Sequence, residues 1–366
     1  MPGVDTHLDR PPVGPQAPSV HDYKSPHGEP SYYDVSFLQP PVWKWEIASY
    51  FFLGGVAAGS YVIGRTAERF GGRKYRALTK AATYTSFAAF LPSPPLLIHD
   101  LGDPWRFHHM LRVWKPTTPM NLGSWVLTGF GAAASAAVLR EYLKTASPED
   151  RGVVSKMVDG TLLLISDAAG IPLALMLGGY TGVLLSCSAN PLWCRNPWLG
   201  PMFMSSAIGT GASATSLVLS LTGDGSRDDE DASRALDVID SASNLAEAVF
   251  LGAYLRSLGK NAHPLTRGKW APHIWGAFAG LATAEILKLL PLRGRAKRWA
   301  NIGSALTGLA AGFSLRWALV HAGKDAAKDP AAARRSSRPN WPQLEQQVPS
   351  RTPAEVHSGT LVEVNR

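Results

Sequence analysis

The sequence predicts an all-α polytopic membrane protein, a bundle of eight transmembrane helices with disordered N- and C-terminal tails. Three observations lead there. Between Trp43 and Val320, eight apolar stretches follow one another, separated by short polar loops. Most are about 20 residues long, which is what a helix needs to cross roughly 30 Å of hydrocarbon. Lipid admits only helices or closed barrels, because every backbone polar group must find a partner. These runs are too long and too rich in Gly, Ala and Leu for barrel strands. Lys and Arg, finally, gather in alternate loops, the bias that sets orientation.

The predicted spans are Trp43–Gly64, Leu78–Ile98, Ser124–Leu143, Thr161–Ser186, Pro201–Leu221, Leu236–Leu255, Ala271–Leu290 and Trp299–Val320. The sixth is punctuated by Asp237, Asp240, Asn244, Glu247 and Arg256, which must face protein or water if it spans. Overall hydropathy is near neutral only because the ends are polar. Residues 1–42 are rich in Pro, His and Asp, and residues 323–366 hold Ala, Arg, Ser, Pro and Gln. Neither segment can bury enough apolar surface to offset its ordering entropy, so both read as disordered or partner-bound. That leaves residues 43–322 as one membrane domain. No basic region followed by an apolar run opens the chain, so no cleavable signal is expected and the first span drives insertion.

One set of loops carries sixteen Lys and Arg, including Arg65, Arg73, Lys74, Arg140, Lys144 and Arg293, against eight on the other set. The positive-inside bias then places the first set in the cytoplasm and both termini outside a plasma membrane. The net charge of +8 is thus loop charge serving topology and contact with anionic lipid. No basic run is interleaved with stacking aromatics, which argues against nucleic acid as a partner.

The first span opens Trp43-Lys44-Trp45-Glu46 and continues through Tyr50 to Gly55 and Gly59. The tryptophans suit the membrane interface, and the two glycines form a face that lets another helix come close. Glu46 and Tyr50 stand four apart, hence on one helix face. They read either as interfacial anchors or as parts of a site. The second span ends in a proline-rich stretch and runs into His99, Asp100, Asp103 and Arg106. These polar groups either hold a loop together through ion pairs or build the wall of a site in which Asp100 titrates. The fourth span carries Asp167, Pro172 and Gly178-Gly179-Tyr180-Thr181-Gly182, with Tyr180 toward the same side as Glu46. Asp167, Glu247 and Glu285 fall at intermediate depth, where a carboxylate is a functional hypothesis by default or a hydrogen-bonded structural acid.

A bis-histidine haem needs imidazoles facing each other across helices, and His99, His273 and His321 all lie near one side. Cys187 and Cys194 are the only cysteines, two short of an iron–sulfur cluster's usual four. They could pair in an oxidising compartment. No Walker or dinucleotide fingerprint appears. We therefore expect no haem, cluster or metal held by this chain, and electrons, if they pass here, must come from a partner.

Three segments resemble the NrfD/polysulfide-reductase membrane-subunit family. They are Tyr50 through Phe51-Phe52-Leu53-Gly54-Gly55 to Gly59, then Asp100-Leu101-Gly102-Asp103-Pro104-Trp105-Arg106-Phe107 with Pro116 to Trp125, and Tyr180-Thr181-Gly182 leading to Pro191-Leu192-Trp193. The family loop often carries Arg where Asp103 stands here. The resemblance implies a haem-free membrane anchor, not catalytic alone, that exchanges electrons with menaquinone or ubiquinone. It also implies docking of a ferredoxin-like iron–sulfur subunit that serves a molybdopterin oxidoreductase or a multihaem cytochrome in a respiratory complex. In that reading Glu46 and Asp100 relay protons, while Tyr50, Tyr180, His99 and Arg106 line the quinone site. The rival reading is a secondary transporter, since polar residues at mid-depth and Pro/Gly-interrupted spans suit one.

Overall fold

In the computed structural model, residues 36, 38–146, 153–223 and 225–337 are described, and every regular element among them is a helix. Among the described residues, four segments are long and apolar enough to cross a membrane: Trp45–Phe70, Pro119–Lys144, Met157–Ser186 and Leu199–Thr222. The other predicted spans are helical but depart from a plain apolar run, each for a visible reason.

Helix α1, Trp45–Phe70, outlasts its predicted end by more than a turn because Arg65 and Glu68 are neutralised inside the fold. The second span is broken. Helix α2, Arg76–Phe90, stops before Pro92, and α3, Ser93–His99, resumes beyond it. Proline has no N–H for the helix ladder, and its ring clashes with the preceding turn. A short helix α4, His109–Arg112, lies in the loop before α5, Pro119–Ala146. The fourth span consists of α6, Val153–Leu163, a π-helical turn at Leu164–Ala169, and α7, Gly170–Ser186. Pro172 cannot donate to the carbonyl four residues before it, which loosens the ladder there. The Tyr61 hydroxyl donates to the Ser166 carbonyl within that turn at 2.7 Å.

Helix α8 is Leu199–Thr222, and α9 runs from Arg227 to Leu258. The Ser226 hydroxyl caps α9 by accepting from the Asp229 N–H, and Asp228, Asp229 and Glu230 follow in its first turn. Those carboxylates complement the helix dipole. A short helix α10, His263–Thr266, leads into α11, Ala271–Leu289, which α12, Gly294–Ala327, follows. Helix α13, Pro330–Ser337, comes last. Most of residues 323–337, assigned by composition to a tail, therefore lies in these two helices. Trp270 donates to Asp325 at 2.8 Å, and Ser36 ties the other tail down through the Ala327 carbonyl at 2.7 Å. The remainder of both predicted tails lies outside the described residues.

Helix α1 sits at the centre, packed by α2, α7, α8 and α12. A Cβ on Gly59 would stand 1.9 Å from the Ala207 carbonyl oxygen, so here α1 and α8 touch backbone to backbone. Gly55, on the same face, makes room instead for the Arg316 side chain. At the end carrying the more basic loops, Glu68 accepts from Arg65, Lys144 and Arg140, and Arg140 also reaches Asp159 at 3.0 Å. Several of the cations that mark topology in the sequence thus serve as an interhelical ion network. At the opposite end the Asn190–Trp193 segment folds inward. Trp193 is buried, donates to the Leu319 carbonyl and stacks on Trp43 with ring centroids 5.6 Å apart.

Candidate functional site

The same end holds the groups singled out in the sequence. Glu46 lies in the first turn of α1 and is only 3 % exposed. Its Oε1 is 3.1 Å from Nδ1 of His99 at the end of α3, while its Oε2 is buried with no hydrogen-bond partner. The His99 side chain is 71 % exposed. A buried carboxylate is thereby connected to solvent through an imidazole. With Glu46 ionised, Nδ1 is the donor to it.

Asp100 follows directly. Partial burial, and then the charge of Glu46, hold its pKa above the usual carboxylate range, with Lys44, His99 and Lys324 pulling the other way. Lys324 also donates to the Trp43 carbonyl at 2.6 Å, tying α12 to the entry of α1. Glu46, His99 and Asp100 are thus brought together from two helix ends.

Tyr50 lies one turn deeper on α1 and is buried, in the neighbourhood of Tyr180 on α7. The Tyr180 hydroxyl donates to the Pro119 carbonyl in the first turn of α5. Gly123 is needed there. A Cβ on it would stand 2.4 Å from the Tyr180 hydroxyl oxygen.

Arg106 is not brought to this group. It pairs with Asp103 at 3.0 Å, both side chains largely in solvent, which is the loop-holding role. The loop is further pinned by Asn121, a residue the sequence reading did not single out. Its Oδ1 accepts from the Lys115 N–H, and its Nδ2 donates to the Met110 and Val113 carbonyls. So held, the loop leaves Trp105, Val113 and Trp114 exposed beside the site.

The three acids noted at depth separate. Asp167 lies 4.0 Å from Arg65, in the basic-end network. Glu285 accepts from Asn244 and pairs with Lys288 on its own helix. Glu247 is buried, in the field of Arg316. Arg316 was missed, although an arginine inside the predicted Trp299–Val320 span is itself the signal that should have found it. Among the described residues no group of three or more His, Cys, Asp or Glu is placed to hold a metal ion. Cys187 and Cys194 are both unpaired.

With this geometry in place, comparison with known proteins is informative. A family profile described as polysulphide reductase, NrfD, matches residues 34–326. Protein NrfD of Escherichia coli is 25 % identical over 318 residues, covering 77 % of this chain and 95 % of that protein. The C subunit of polysulfide reductase from Wolinella succinogenes is 26 % identical over 300 residues, covering 77 % and 94 %. An NrfD homolog of Haemophilus influenzae is 27 % identical over 207 residues, covering 52 % and 63 %.

Proposed function

The chain belongs to the NrfD polysulphide reductase family, and we propose that it exchanges electrons between a partner iron–sulfur subunit and a membrane quinone. It does so as the membrane subunit of a respiratory oxidoreductase complex. The observation that carries this reading is Glu46. A fully buried carboxylate with one oxygen unpartnered, one helical turn from a buried tyrosine and joined to an exposed histidine, is a place for a polar ligand that takes up protons. Unpartnered buried polar atoms are uncommon and call for an explanation.

Reduction of a quinone consumes two electrons and two protons, and one O–H bond forms at each carbonyl oxygen. The partner's clusters supply the electrons. Tyr50 is the donor to one carbonyl, and Glu46 is the proton source, replenished through His99 and Asp100 from the aqueous face. Such positioned acid–base groups contribute on the order of 10²–10⁴-fold to a proton-transfer step. Tyr180 holds its hydroxyl on Pro119 and must exchange that partner to reach a headgroup, so in the resting geometry it shapes the wall. The exposed Trp105, Val113 and Trp114 of the neighbouring loop offer apolar anchors for the partner subunit, which brings its clusters within reach of the headgroup. Eight membrane crossings, with this end outside the cytoplasm, complete the reading.

The test compares quinone-dependent turnover of the assembled complex with its reduction of a soluble dye at the partner. Glu46→Gln should lower the first at least tenfold and leave the second intact. Undiminished quinone turnover in Glu46→Gln would place the site elsewhere, and equal loss of both activities would make Glu46 an assembly residue.

A further inference from the structure

The end of the bundle that carries Glu46 also holds a cavity of about 650 Å³, within the range of about 300–1,000 Å³ usual for a small-molecule site. None of the groups gathered around Glu46 lines it. Its walls come from the turn between α9 and α11, from the last turns of α12, and from α13, with Pro191 and Leu192 beside them. These walls are fixed. At the end of α9 the chain turns at Gly259, where φ is +53° and ψ is −124°, a conformation that needs glycine. The Tyr254 hydroxyl donates to the Leu192 carbonyl at 3.0 Å, and the Asn190 amide donates to the Gly323 carbonyl at 2.8 Å. Arg335 of α13 donates to the Asn261 side-chain oxygen at 2.8 Å, which joins α13 to the turn after α9.

The charges of this cavity do not cancel within it. Asp325 accepts from the Trp270 indole, while Asp329 pairs with Arg335 at 3.7 Å and accepts from the Ala331 N–H at 2.9 Å. Both carboxylates are thus engaged by their own surroundings. Lys260, His263 and Arg267 also line the cavity and are exposed, and among the described residues nothing hydrogen-bonds or pairs with their side chains. Two cations and an imidazole therefore border one cavity without an anion from the protein. A second feature says where an anion comes from. Thr266, in the same wall, accepts from the Trp275 indole N–H at 3.1 Å, and Trp275 is 54 % exposed. A tryptophan with an exposed ring and a satisfied N–H suits the level of the lipid headgroups. Further along α11, Ala279, Ala282 and Ile286 continue the exposed line of Trp275 at helical spacing, with no charge among them. A cationic cavity thus stands at the head of an apolar stripe, which is the polarity of a phospholipid.

We propose that this cavity seats the headgroup of an anionic phospholipid, with its phosphate on Lys260 and Arg267 and an acyl chain along the exposed stripe of α11. The guanidinium offers a fork of N–H donors to the phosphate oxygens, and the ammonium acts as a mobile point charge. His263 adds a ring nitrogen to the same wall. A zwitterionic headgroup brings an ammonium as well as a phosphate, and both carboxylates that could receive the ammonium are already engaged. A glycerol headgroup brings only hydroxyls, which the Asn261 and Thr266 side chains can meet. Bound there, the lipid joins the turn after α9 to α11 and stabilises the folded bundle by mass action.

The lipid site does not depend on quinone chemistry, and neither does its test. The full-length chain in detergent is titrated with dioleoyl phosphatidylglycerol or dioleoyl phosphatidylcholine. Bound lipid is counted by native mass spectrometry, and the thermal midpoint is followed in parallel. The wild type should bind the glycerol lipid at least tenfold more tightly than the choline lipid and gain thermal stability from the first alone. Lys260→Gln with Arg267→Gln should weaken that binding at least tenfold and abolish the gain, while Lys260→Arg with Arg267→Lys keeps the affinity within threefold. Arg112→Gln with Lys115→Gln removes the same charge from another loop at this end and should change neither readout. Equal binding of the two lipids, or equal loss in the two neutralised pairs, overturns the site. Displacement of the glycerol lipid by millimolar inorganic phosphate would make the cavity a free-anion site and overturn the lipid assignment.

Discussion

Replacing Gly123 by alanine tests how tightly the wall of the site is built. The added methyl would stand 2.4 Å from both Cζ and the hydroxyl oxygen of Tyr180 and 2.5 Å from Cε1. Non-bonded carbons prefer about 3.5–4.0 Å, so the ring must retreat by about an ångström. It cannot do so and still donate to the Pro119 carbonyl. Overpacking of this kind costs about 1–3 kcal/mol, and the lost hydrogen bond adds about 0.5–1.5 kcal/mol. Tyr180→Phe removes only the second contribution. In the double variant the hydrogen bond is already gone, so the two losses should fall short of additive by about 0.5–1.5 kcal/mol. The measurement is the apparent thermal midpoint in detergent for the wild type, both single variants and the double variant, at one scan rate because unfolding is expected to be irreversible. Quinone-dependent and dye-dependent turnover are followed in parallel. Gly123→Ala should destabilise more than Tyr180→Phe and lower quinone-dependent turnover selectively. A Gly123→Ala protein as stable as the wild type, or strict additivity in the double variant, would refute the claim that this glycine exists to seat the ring.

Three further outcomes follow from the same geometry. If the exposed ring serves Glu46 as proposed, His99→Ala should slow quinone-dependent turnover several-fold, with partial recovery in imidazole buffer; no recovery would make its role purely steric. Asp100 has a raised pKa from burial and from Glu46, so its protonated form persists to higher pH, and turnover that uses it should fall as pH rises through that pKa. Because folding raises this pKa, stability is lost over the window from the ordinary aspartate value, about 3.9, up to the folded one; Asp100→Asn should flatten the turnover limb and remove that loss, and an unchanged pH profile would exclude Asp100 from proton delivery. Reporter fusions at Arg73 and Lys260 should fall in opposite compartments, since the proposed topology puts an odd number of membrane crossings between them, and the same compartment for both would overturn that topology.

How far the sequence predicted this arrangement depends on the range of the interaction concerned. The i,i+4 spacing of Glu46 and Tyr50 is local, and the structure places both on one buried face. The link from Glu46 to His99 crosses 53 positions. It was legible only as two polar groups expected at the same membrane face. Of the two roles open to Arg106, the structure shows the ion pair that holds the loop: an Asp three residues away satisfies it locally, and local pairing competes with recruitment to a distant site. Arg316 and Ser206 meet only across 110 positions, so nothing local marks them as partners. The glycines show the same limit. Gly55 and Gly59 read alike as a close-packing pair, yet Gly59 admits a backbone and Gly55 admits a guanidinium. Spacing can say that a residue must be small; which neighbour fills the space is decided by the helix that arrives there.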